Sequence, residues 1–139
     1  MRRFESTRSV WLGTAAGRLL EAWVAESPAA RLAGLAGLPA LGAGRALLFP
    51  CCGSVHTIGM RFPIDVAFLS WPPERGRCDV IAVRCFVPPF RVVGAPPGLR
   101  RRRVAALEAA AGALMGTGAD SLCGQVRIST RAGGVTFNG

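Results

Sequence analysis

The chain has 139 residues, half of them apolar, which suits one domain with its own core and excludes a chain disordered throughout. Its formal charge is +9, and all 17 basic residues are arginine, with no lysine and no tyrosine; with abundant alanine, glycine and proline, this reads as GC-rich coding bias, so charge alone supports nucleic-acid binding only weakly. No apolar run approaches the ~20 residues of a membrane span, and no apolar stretch with a small-residue cleavage site marks a signal peptide near the N-terminus, so the expected compartment is the cytoplasm.

Taken in chain order, Val10–Leu12 and Arg18–Val24 read as strands joined by a hairpin loop over Gly13–Gly17. The clearest helix start follows. Ser27 can accept a free N–H of the first turn, and Pro28 stands at the first helical position, where its missing N–H costs nothing. That helix is expected to run to Ala36 and stop at Gly37, with Pro39 blocking any continuation. Ala46–Phe49 reads as a short buried strand ended by Pro50, Cys51–Ser54 as a loop and Val55–Ile58 as an extended segment. Ile64–Trp71 is the strongest strand; a Pro-Pro turn leads to its hairpin partner, Cys78–Phe86. A short strand is expected at Arg91–Val93 and a final one at Gln125–Thr130, with Arg131–Gly139 extending or fraying it. Val104–Met115 is ambiguous: its Ala, Leu and Glu content favours helix, yet Gly112 interrupts it. The fold class is therefore mainly β with one or two short helices, a barrel- or sandwich-like single domain over residues 1–139.

The five cysteines, Cys51, Cys52, Cys78, Cys85 and Cys123, are an odd number in a chain read as cytoplasmic, so free thiols are expected rather than a disulfide framework. Only Cys51, Cys52 and His56 cluster as metal-type ligands, without the paired spacing of a zinc site. No metal and no cofactor is expected. The run Arg100-Arg101-Arg102-Arg103 follows a Pro/Gly loop and reads as a solvated loop without interleaved aromatics.

The run from His56 to Leu69, HTIGMRFPIDVAFL, resembles the core motif of the uncharacterised DUF192 family. Arg31–Leu35 resembles its R-x-x-G-L segment, Arg45–Phe49 its G-M-L-F strand, and Leu107–Gly112 its L-E-x-x-x-G segment, followed by Gly124-Gln125-Val126. The likeness covers about residues 31–128. Where many members carry W-M-K-N-T this chain has His56–Met60, Gln125 stands where Asp is common, and Ala36 where Met is common. The resemblance implies a compact β-rich barrel or sandwich with one short helix, and it makes Val104–Glu108 a strand leading into a helical turn, against propensity. It implies no established activity.

The polar residues of that motif form the candidate pocket: His56, Thr57, Met60, Arg61 and Asp65, with Glu108. Asp65 shares a strand face with Ala67, Leu69 and Trp71, where a carboxylate needs a partner or several N–H donors. A clamp on a neighbouring loop is its expected role, with Arg31, Arg61 or Arg84 as ion-pair partner. Glu108 is a second carboxylate amid Ala and Leu, and an arginine partner is preferred for it too, with Arg31 and Arg61 the natural candidates. His56, the only histidine, could serve as a base, and Cys52 could be its nucleophile. Thr57 and Met60 read as local packing and turn residues. The function expected is a non-enzymatic accessory domain binding a small molecule or protein partner. The alternatives are a small hydrolase using His56, Asp65 or Glu108, and a nucleic-acid-associated protein.

Overall fold

A computed structural model describes residues 8–14, 19–42, 44–114 and 124–130. Along the chain these form β1 (Ser9–Gly13), β2 (Leu19–Val24), α1 (Pro28–Ala33), β3 (Arg45–Phe49), β4 (Ser54–His56), β5 (Ile64–Ser70), β6 (Arg77–Val87), β7 (Val92–Gly94), a 3-10 turn (Arg101–Arg103), β8 (Val104–Ala110) and β9 (Gln125–Ser129). Seven strands close a barrel in the order β1-β2-β3-β8-β5-β6-β9, while β4 and β7 pair separately. The parallel β2–β3 pair needs a crossover connection, and α1 lies on that connection; the other barrel pairs are antiparallel. Residues 15–17 of the expected hairpin loop, Arg18 of the expected second strand, Met115, Cys123 and the tail 131–139 lie outside the described residues. Among the described residues no helix is long and apolar enough to cross a membrane.

The helix starts as its sequence dictates, with the Ala30 N–H donating to Ser27 Oγ at 3.1 Å and Pro28 in the first turn. It ends earlier than expected, at Gly34 rather than Gly37. Gly34 takes φ +49°, which turns the chain out of the helix while its N–H still donates to the Ala30 carbonyl. The helical propensity of Val104–Met115 is also overruled. Residues Val104–Ala110 form β8, a strand lying between β3 and β5 and buried along nearly its whole length. Its alanines are small enough for a strand packed on both faces, so burial outweighs an intrinsic preference of a few tenths of a kcal/mol per residue. A turn follows, closed by the Ala113 N–H on the Ala110 carbonyl.

Strand alternation divides the apolar residues into two cores. All seven barrel strands contribute to the inner one, among them Leu12, Leu20, Leu48, Leu107, Leu69, Cys78 and Val126, with alanines 22, 46, 67, 105 and 109 keeping the interior narrow. The outer core lies between the barrel wall and its covering layer: Trp23, Leu47, Phe49, Val66 and Phe68 face Leu35, Leu41, Val55 and Met60. The functional residues divide along this same boundary.

Candidate functional site

On β8, alternation sends Leu107 and Ala109 into the barrel and Ala106 and Glu108 outward, with Glu108 opposite Val66 of β5. Glu108 therefore lies in the outer core beneath the α1 layer. It is buried, its Oε2 has no hydrogen-bond partner among the described residues, and burial pushes its carboxyl up to about 8. At neutral pH the group is mostly a protonated acid, able to donate a hydrogen bond. Gly34 closes over it: a methyl group at Gly34 would sit 3.7 Å from Oε2 and 3.5 Å from Phe49 Cζ.

Glu108 borders a cavity of about 170 Å³ walled by Gly34, Phe49, Cys52, His56 and Met60, with Arg31 and Arg101 among its lining residues. Both arginines are anchored through one loop. Arg31 donates to the carbonyls of Pro50 (2.7 Å) and Cys51 (3.2 Å), and Arg101 Nε donates to the Cys51 carbonyl (3.0 Å). These bonds fix two guanidinium groups at the cavity without neutralising either one. The Cys52 thiol donates to the Ser54 carbonyl at 3.0 Å, within its own loop.

Among the described residues neither buried carboxylate has the expected arginine partner. Asp65 accepts from two backbone groups, the N–H of Phe86 at 2.9 Å and that of Leu114 at 3.0 Å. Main chain stands in place of a guanidinium here, and a fully buried carboxylate is well served by N–H donors that carry no net charge. Arg31 serves the Pro50–Cys51 loop instead, and among the described residues the side-chain ion pairs are Arg8–Glu26 and Arg45–Glu21. Asp65 lies in register with Ala109, an inner-core residue, whereas Glu108 lies in register with Val66 of the outer core. The two carboxylates therefore stand on opposite faces of one sheet and cannot form a shared acid–base pair.

Of the expected pocket residues, the fold brings His56, Met60 and Glu108 to one cavity. Thr57 is fully buried behind it as a loop fastener, Asp65 lies across the sheet, and Arg61 is exposed outside the lining. Gly34 and Arg101 are lining residues that sequence reasoning did not place there. Gly34 sits inside the R-x-x-G-L motif, which marked it as special, but Arg101 was read as part of a solvated run. Its bond to Cys51 spans fifty residues, and no local spacing signals it.

The four described cysteines are free, and burial, aided by the adjacent Asp79 charge, pushes the Cys78 thiol up to about 12, which makes it inert. Among the described residues no three His, Cys, Asp or Glu side chains converge on a metal position. A wider cleft of about 970 Å³ lies between the Trp71–Arg77 turn and β9, where Glu74 and Asp79 stand among arginines. Glu108 Oε2 is the buried side-chain polar atom left without a partner among the described residues, and it marks the smaller cavity as the candidate site.

A mixed seven-stranded barrel with a buried acid under a short crossover helix defines the class of fold. The chain matches the family model of DUF192, an uncharacterised ACR, over residues 12–120, and it belongs to that family. No curated protein matches it. Two crystal structures share the fold. One is a protein of unknown function from Novosphingobium aromaticivorans, 17% identical, with a TM-score of 0.66 over 87% of this chain and 83% of the other. The second, from Sinorhizobium meliloti, carries the provisional description of a transcription regulator; it is 21% identical, with a TM-score of 0.63 over 87% of this chain and 91% of the other.

Proposed function

We propose that the protein is a non-enzymatic binding domain, and that the cavity beneath α1 takes a small ligand through a hydrogen-bond acceptor placed against Glu108. The observation that carries this reading is the buried Oε2 of Glu108, without a partner among the described residues, on a side chain that lines the cavity. A buried polar group without a partner costs about 1–3 kcal/mol, which an incoming acceptor recovers. The cavity is smaller than the roughly 300–1,000 Å³ of drug-sized pockets, so it suits a compact molecule or the end group of a larger one. With a neutral acid at its floor and two arginines at its wall, it favours an anionic acceptor such as a carboxylate.

Binding without catalysis is favoured by what the titratable groups do. The Cys52 thiol is committed to the Ser54 carbonyl, and the second buried carboxylate is across the sheet. Among the described residues no nucleophile–base pair is joined by a hydrogen bond.

The test is thermal stabilisation by a series of small monocarboxylates (formate, acetate, propionate, pyruvate). Stabilisation is expected below the Glu108 pKa of about 8 and is lost above it, where the ionised side chain repels the ligand. Glu108→Met, which keeps the volume and removes the donor, abolishes the shift. An absence of stabilisation by every probe, or equal stabilisation of Glu108→Met, overturns the reading.

A further inference from the structure

The buried polar residues around the His56–Asp65 motif also hold a second surface in place. The Phe86 N–H donates to Asp65 Oδ1, the Phe90 N–H to the Thr57 carbonyl (3.1 Å), and the Arg91 N–H to Thr57 Oγ1 (2.8 Å). The Thr57 hydroxyl donates in turn to the Pro88 carbonyl at 2.7 Å. Segment 86–91 is thereby fastened at both ends to side chains that are themselves fully buried.

Val87 of this segment packs into the outer core, while its two phenylalanines are exposed, Phe86 with its ring edge near Gly112. Phe86 is 55% exposed, Phe90 71% and Val92 74%, and Ile58, the neighbour of Thr57, is 56% exposed. Both phenylalanines sit at positive φ, +54° and +64°. In that region Asn, Asp or Gly is comfortable, and a bulky aromatic is not. A loop that only had to turn the chain would be more stable with Asn or Gly at these positions. Phenylalanine at both, held outward by buried hydrogen bonds, is the arrangement expected of a binding surface.

The charge around this tip narrows the choice of partner. No acidic residue occurs between Glu26 and Asp65, or between Asp79 and Glu108. The two stretches that build the tip are therefore free of acids, and Arg61, Arg84 and Arg91 are exposed on them. We propose that the tip formed by Ile58, Phe86, Phe90 and Val92 docks into the interface of an anionic phospholipid bilayer, with the flanking arginines on the headgroup phosphates. Phenyl and aliphatic side chains enter the boundary between headgroup and acyl chain, where the basic rim meets negative charge. A single-stranded nucleic acid fits less well, because Ile58 and Val92 offer no plane on which a base can stack. The docking surface shares Ile58 with the lining of the ligand cavity, but the ligand reading rests on Glu108, which the docking surface does not use.

The test is co-sedimentation of the full chain with vesicles of phosphatidylcholine, alone or with about one third phosphatidylglycerol. Recruitment is expected only with phosphatidylglycerol, and it weakens in about 1 M salt, where the Debye length is about 3 Å. The double variant Phe86→Asn/Phe90→Asn relieves the backbone and removes the aromatics, so it keeps or raises the melting temperature and lowers partitioning by about tenfold or more. Val92→Ser, which leaves the backbone untouched, lowers it by about threefold. Glu108→Met is recruited like the wild type, which separates this surface from the ligand cavity. Failure of phosphatidylglycerol vesicles to recruit the protein, or recruitment unchanged in the Asn and Ser variants, overturns the proposal. Binding of an oligothymidylate that the double variant loses, without vesicle binding, assigns the tip to nucleic acid instead.

Discussion

Asp65 and Glu108 are buried carboxylates on neighbouring strands of one sheet, and they have opposite fates. Asp65, on the barrel side, fixes two backbone N–H groups and ties the Phe86 loop and the 110–114 turn to the barrel end. Glu108, on the covered outer side, has an oxygen that nothing in the described protein satisfies, and it is held largely as a neutral acid. Burial and residue type are nearly the same, so the difference lies in what the surrounding main chain offers. An acid whose partners are part of the fold is structural. Glu108, with no partner for Oε2 among the described residues and set beside a cavity and two anchored arginines, is the contrasting case, and the ligand proposed above would supply that partner.

Substitutions can break or sharpen this contrast. Asp65→Ala is expected to have the largest effect, because it leaves two N–H groups without their acceptor. Stability should fall by roughly 3–5 kcal/mol, read as a lower urea midpoint at unchanged slope, and Asp65→Asn should recover part of the loss. A cost below about 1 kcal/mol would show that Asp65 is no clamp.

Glu108→Gln should differ from wild type mainly in its pH profile. The wild-type carboxyl ionises near 4.5 when unfolded and near 8 when folded. As pH rises between those values the unfolded chain has lost the proton and the native protein keeps it, so wild-type stability declines across that window and levels off above it. Glutamine does not titrate, and the variant should become the more stable of the two on the alkaline side. The difference should reach several kcal/mol, since each tenfold change in proton affinity between the two states is worth about 1.4 kcal/mol. Urea unfolding at acid, neutral and alkaline pH reads this difference, and parallel profiles would break the contrast. Thr57→Val removes a hydroxyl with both a donor and an acceptor role and should cost about 2 kcal/mol, placing Thr57 with Asp65 among the fasteners. Gly34→Ala should cost about 1–3 kcal/mol, because φ +49° with ψ −131° is a conformation that glycine alone adopts readily, and it also puts a methyl group over Glu108 Oε2, so it should weaken any ligand that Glu108 binds.

Much of the fold was legible in local chemistry. The Ser27-Pro28 pair places the start of α1, the β-branched and aromatic run at Ile64–Ser70 places β5, and the alternation around Asp65 shows that its carboxylate turns inward. What escaped is non-local. The residues that satisfy Asp65 are 21 and 49 positions away, and they contribute main chain, which carries no residue-specific signal. The alanines of β8 favour helix until β3 and β5 enclose them, and only the family resemblance pointed to a strand. Arg31 looked like a carboxylate partner because sequence shows charge; it does not show which carbonyls a loop such as Pro50–Cys51 will turn toward a guanidinium.

The barrel order has a consequence for how the chain reaches this state. β9 is the strand farthest along the described chain, and it fills the gap between β6 and β1, one of the earliest strands against one of the later ones. Until Gln125–Ser129 docks, β1 and β6 each present an open edge of unpaired amides, and that edge is a template for another chain. During synthesis the N-terminal hairpin must therefore wait through more than a hundred residues for its seam to close, so folding is dominated by a late, long-range step. Shortening the chain before β9 would leave the cavity residues intact and expose both edges, which makes self-association, ahead of loss of binding, the first failure of a truncated protein.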